Sequence, residues 1–106
     1  MIIYEGIFDA EEIATGLANW AAIESPSFDA AAVNRMMDTA QEKVSALGAD
    51  IERIPGTDGY GDVLRAHFNW GEGPGILVLG HLDTVHLVGT LAESLSVKRN
   101  GDRLYG

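Results

Sequence analysis

The chain has 106 residues and no cysteine, and its 7 Lys and Arg against 16 Asp and Glu leave a formal net charge of −9. Without sulfur these residues offer no disulfide framework, no thiolate nucleophile and no sulfur-ligated zinc or iron–sulfur centre, so any metal must sit on nitrogen and oxygen. The negative balance repels nucleic-acid phosphates and anionic membranes, and the length suits one globular unit over residues 1–106.

Met1-Ile2-Ile3-Tyr4-Glu5 lacks the basic start of a secretory signal, which makes the cytoplasm the expected location. The longest aliphatic run, Ile76 to Leu79, falls far short of the roughly 20 apolar residues that span a bilayer. Asp9 followed by Glu12 has capping-box spacing, and Ile13, Leu17 and Trp20 then share one helical face, predicting a helix from Ala10 to Ile23. Ser25-Pro26-Ser27 reads as a connection, because Pro26 disfavours helical geometry at Ser25. Asp29 caps a second predicted helix, in which Val33, Met36, Met37, Ala40, Val44 and Leu47 fall at three- and four-residue intervals. Arg35, Asp38, Glu42 and Lys43 take its wet side, and Gly48 ends it.

Beyond Gly48 the pattern turns to strands. Ile51 to Ile54 is a short strand, and the glycine-rich Gly56 to Gly61 is a flexible connection, since it lacks the Gly-Lys-Ser/Thr ending of a phosphate loop. From Asp62 to Trp70 apolar Leu64, Ala66, Phe68 and Trp70 alternate with Val63, Arg65, His67 and Asn69. Gly75 to Gly80 has no polar alternation and reads as a central strand covered on both faces, antiparallel to its predecessor because the link from Trp70 is short. Leu95 to Arg99 and Asp102 to Tyr105 form a hairpin, with Asn100-Gly101 suiting a type I′ turn. Two helices followed by about four to five strands predict an α/β fold with a mixed sheet.

The chemistry-bearing residues cluster where the apolar run ends, at Gly80-His81-Leu82-Asp83-Thr84-Val85. In an extended segment the side chains of His81 and Asp83 point to one side. A neutral imidazole that binds a metal through one nitrogen needs an acceptor on its other N–H, and Asp83 can be that acceptor. Its carboxylate can equally touch a metal or a bound water. The pair also describes a histidine satisfied by a neighbouring carboxylate at a turn, and one His and one Asp do not complete a metal site. His67 reads as a solvated strand residue and His86 as a loop residue. Ser25, Ser27, Ser94 and Ser96 have no local base, which disfavours a serine hydrolase.

Gly80 to Val85, then Gly89-Thr90-Leu91 and Asn100-Gly101-Asp102-Arg103-Leu104-Tyr105-Gly106, closely resemble the first metal-binding segment of the M20 family of zinc metallopeptidases. The upstream order of helix, Ser25-Pro26-Ser27, helix and strands is similar to the same family's N-terminus. The continuation from Thr84 to Leu91 looks more like the glutamate carboxypeptidase branch, with its acetylornithine deacetylase-like relatives, than the succinyl-diaminopimelate desuccinylase branch. The resemblance makes His81 a zinc ligand and Asp83 an orienting catalytic residue. It implies two zinc ions, with cobalt or manganese also accepted by such ligands, and small peptide or N-acyl amino acid substrates. In the complete family enzyme the two metals stand about 3.5–4 Å apart and stabilise both the attacking oxygen and the developing oxyanion.

The family's bridging aspartate, its paired glutamates and its lid domain have no counterpart among these 106 residues. The expectation is therefore the N-terminal portion of a catalytic domain, inactive by itself. A reading of another class is a small non-catalytic α/β domain that self-associates through an exposed sheet edge, giving a homo-oligomer. A nucleotide binder built on Gly56 to Gly61 or Gly71 to Gly75 is disfavoured by the missing lysine and the charge.

Overall fold

The computed structural model describes residues 6–106, so the Met1–Glu5 opening lies outside them. The described chain is mixed α/β, with three helices and two small antiparallel sheets, and it divides into two compact units.

The unit from Glu24 to Val88 holds the buried core. Its helix α1 spans Ala30–Ala46, and the Asp29 carboxylate accepts from the Ala32 amide at 2.9 Å, satisfying one of the orphan donors of the first turn. Ala32, Val33, Met36 and Ala40 are buried at three- and four-residue spacing. Met37 and Val44 are half-buried and Leu47 is exposed, so the apolar stripe ends a turn early. Gly48, at φ +87°, follows the last turn in the left-handed region that glycine adopts at little cost.

Two strands pack against that helix, β1 over Asp50–Ile54 and β2 over Val63–His67. They pair antiparallel, with Ile51 opposite Ala66 and Arg53 opposite Leu64. Along β2, Leu64 and Ala66 are half-buried while Val63, Arg65 and His67 are exposed, which matches the predicted alternation as far as His67; the strand ends there, short of the expected Trp70, which is exposed.

The loop between these strands is tied down rather than a free connection. Asp62 Oδ1 accepts from the Gly56 amide at 3.1 Å, closing the loop at its base, and Asp62 N donates to Asn34 Oδ1 at 2.7 Å. Tyr60 N bonds Thr57 O across a turn in which Asp58 and Gly59 both have positive φ. Tyr60 also packs against Phe28, with the ring centroids 5.8 Å apart and the planes tilted by 44°. A Cβ on Gly61 would collide with Val33, so the loop passes directly over the core helix there.

Residues 75–80 correct the expectation of a central strand. Ile76, Leu77, Val78 and Leu79 are between 81 and 93% exposed, and no described strand pairs with them. A strand is central only when neighbours supply partners on both edges, and no described residue does so here. The sheets are correspondingly two separate antiparallel pairs rather than one mixed sheet.

The other unit gathers helix α2 (Ala10–Ala21), a short helix α3 (Thr90–Glu93) and the strands β3 (Lys98–Asn100) and β4 (Arg103–Tyr105). Asp9 caps α2, accepting from the Glu11 and Glu12 amides at 2.8 and 3.2 Å. None of its helical residues is buried: Ile13 and Leu17, expected on a core face, are 57 and 59% exposed. The β3–β4 hairpin forms as expected, with its turn one residue later. Asn100 pairs with Arg103, the turn residues are Gly101 and Asp102, and of these only Gly101 has positive φ, at +62°. Glycine at the first central position with one positive φ fits a type II′ turn, whereas type I′ needs two. Arg99 Nη2 bonds Glu11 Oε1 at 2.7 Å and Arg99 Nη1 meets Glu11 Oε2, a two-pronged ion pair between hairpin and helix.

Candidate functional site

Segment 82–84 is held by segment 25–27, more than fifty residues away in sequence. Pro26 and Thr84 form a parallel bridge, in which Ser27 N donates to Thr84 O at 3.0 Å and Thr84 N to Ser25 O at 2.8 Å. Ser25 is 1% exposed, and its hydroxyl donates to Leu82 O at 2.7 Å, so burial leaves that polar atom partnered.

Upon this frame the expected pair comes together. His81 Nδ1 lies 3.1 Å from both Asp83 Oδ1 and the Asp83 backbone carbonyl. An ionised carboxylate and a carbonyl can only accept, so the nitrogen between them carries the proton. In the neutral ring the lone pair is then on Nε2, on a side chain that is 84% exposed. The other carboxylate oxygen, Asp83 Oδ2, accepts from the Ser27 hydroxyl at 2.5 Å. That bond is the largest cause holding the Asp83 carboxyl below its ordinary pKa; partial burial opposes it, and the contact with His81 adds to it. Both Asp83 oxygens are thus engaged within the protein, which suits an orienting carboxylate better than a ligating one.

His67 lies at the end of β2 and His86 in an exposed segment, and neither joins the pair. From sequence Ser27 reads as part of a connection and as a serine without a local base, with no role at the His81–Asp83 pair. Its partner is 56 positions away, a separation that no local motif reports. Ser27 and Thr84 also line an open groove of about 450 Å³, with Pro26, Phe28, Val85 and Val88 as apolar walls.

Among the described residues no three His, Asp or Glu side chains gather in a way that holds a metal ion. One outward imidazole nitrogen is the right donor type, but it falls short of the three protein ligands of an ordinary catalytic zinc. Among the described residues no helix is long and apolar enough to cross a membrane. No family model, curated protein or solved structure matches the chain.

Proposed function

We propose that this chain carries one corner of the active site of an M20-like metal-dependent hydrolase acting on amide or peptide bonds of small acidic or N-acylated substrates. The observation that supports it is the held imidazole: His81 Nδ1–H sits between two acceptors of Asp83, and Nε2 is left outward with its lone pair. On this reading His81 is one metal ligand, Asp83 its orienting partner, and the remaining ligands are not supplied by these 106 residues. The metals implied are two zinc ions, or cobalt or manganese in their place. By itself the chain then binds metal weakly and turns over no substrate.

Titration of the chain with zinc, followed through the imidazole resonances of its three histidines, tests this. The expected result is a selective response of His81 Nε2 at zinc concentrations that leave His67 and His86 unchanged, lost in His81→Ala. A His81 that responds no earlier than the other two histidines overturns the metal reading.

A second reading has its own observation. The exposed Ile76-Leu77-Val78-Leu79 run and the two-stranded sheets, whose outer edges no described strand covers, suit a non-catalytic α/β domain that associates with further copies.

A further inference from the structure

We propose that Ser27 is a positioning residue for His81, acting through Asp83 to fix which ring nitrogen carries the proton. Ser27 Oγ has a single hydrogen and two acceptors in reach, Asp83 Oδ2 at 2.5 Å and Thr84 O at 3.1 Å. The shorter contact, to a charged acceptor, takes the proton, since charge-assisted hydrogen bonds are the stronger kind. With Oδ2 held there, Oδ1 of the same planar carboxylate stays against His81 Nδ1.

The hydroxyl is itself fixed by backbone. The Ser27 amide bonds Thr84 O, and the Thr84 amide bonds Ser25 O, so residues 27 and 83 are registered against each other independently of their side chains. Two residues further on, Asp29 caps α1, whose buried Ala32, Val33 and Met36 anchor the segment to the core. A chain of contacts therefore runs from the core helix through Ser27 and Asp83 to an imidazole that is otherwise exposed. Asp83 provides every hydrogen bond the His81 ring makes among the described residues. Ser27 is the side chain that grips Asp83 from a distant part of the sequence.

Removing the Ser27 hydroxyl frees one carboxylate oxygen, lets the Asp83 side chain rotate towards water, and releases the Nδ1–H contact. The ring then shifts towards the Nε2–H form that a solvated imidazole prefers, and the outward lone pair is lost. What that lone pair serves rests on the hydrolase reading above, but the tautomer does not. The spectrum that reports it is taken without metal, so failure of one leaves the other standing.

The experiment is nitrogen-15 imidazole spectroscopy of the 106-residue chain above the histidine titration range, with His67 and His86 as internal references. In the unmutated chain His81 should show the Nδ1–H pattern. Ser27→Ala should move it towards Nε2–H, Ser27→Thr should restore it, and Ser25→Ala, which removes the hydroxyl bonded to Leu82 O, should leave it unchanged. An Nε2–H pattern in the unmutated chain overturns the proposal. So does an unchanged pattern in folded Ser27→Ala, or an equal shift in Ser25→Ala, which would make the whole bridge responsible. Should Ser27→Ala fail to fold, the unmutated chain still decides. A slowly exchanging Ser27 hydroxyl proton with a cross-peak to Asp83 is the expected result, and its absence refutes the assignment.

Discussion

Arg53 Nε donates to Asp62 Oδ2 at 2.9 Å, joining the C-terminal end of β1 to the residue that closes the loop before β2. The same guanidinium reaches Gln41 Oε1 at 3.0 Å, the Asn34 carbonyl at 3.3 Å and Asp38 Oδ1 at 3.0 Å, all on α1. One planar fork thus fastens the helix, a strand and the loop, a task for which lysine has the wrong geometry.

The pH dependence of stability follows from that junction. The Asp62 carboxyl is held below its ordinary pKa, first by the Gly56 amide and then by Arg53 and Asn34, against opposition from burial. A depressed folded-state pKa means that the unfolded chain binds the proton first as pH falls. The stabilisation is therefore fully present above the ordinary carboxylate range, near pH 4, and is lost as pH drops through the lower folded value. Asp62→Asn should be less stable than the unmutated chain at pH 7, with the gap closing between about pH 4 and the acid limit. Urea midpoints measured across that range check it, and a gap that stays constant in acid refutes it.

The core offers few side chains to share a loss. Met36 is 3% exposed and lies between Ala32 and Ala40 on the buried face of α1. Met36→Ala removes packed atoms that these small neighbours cannot replace, and should lower the unfolding free energy by about 2–5 kcal/mol. That is a large part of the total for a domain of this size, so chemical denaturation should show a markedly lower midpoint or no folded baseline.

The Asp29 cap makes a smaller, local prediction. Its carboxylate bonds one amide of the first turn of α1, and Asp29→Ala should cost about 0.5–2 kcal/mol, while Asp29→Ser should recover most of the loss. Thermal melts of the two variants distinguish a capping role, which serine satisfies, from a need for the charge itself.

What the sequence reveals here is what is local. Both caps, both long helices, and strands β1 and β2 are set by residues within a few positions of one another, and each appears close to where its pattern predicts. The hairpin is displaced by one residue because Asn100-Gly101 is compatible with two registers, and the backbone puts positive φ on the glycine alone. The Ile76–Leu79 run shows the limit of composition. Aliphatic content specifies a segment that gains by being covered, but pairing partners are a property of the rest of the fold, and no described strand provides them. At the candidate site the His81–Asp83 contact spans two positions and is legible. The Ser27–Asp83 contact spans 56 and the Arg53–Asn34 contact 19, and neither leaves a spacing signal.

The exposed run also yields a prediction in which charge and hydrophobicity act in opposite directions. Four contiguous aliphatic residues at this exposure favour contact with a second apolar surface, while a net charge of −9 opposes the approach of another copy. Sedimentation velocity should show a coefficient that rises with protein concentration. The rise should steepen with added salt, because the screening length falls to about 10 Å at 0.1 M. Val78→Lys lowers the repulsion, since −9 + 1 = −8, yet breaks the apolar run, so a loss of association in that variant is attributable to the run and not to charge. A concentration-independent coefficient in the unmutated chain at high salt would falsify the self-association reading, and stronger association in Val78→Lys would assign it to electrostatics instead.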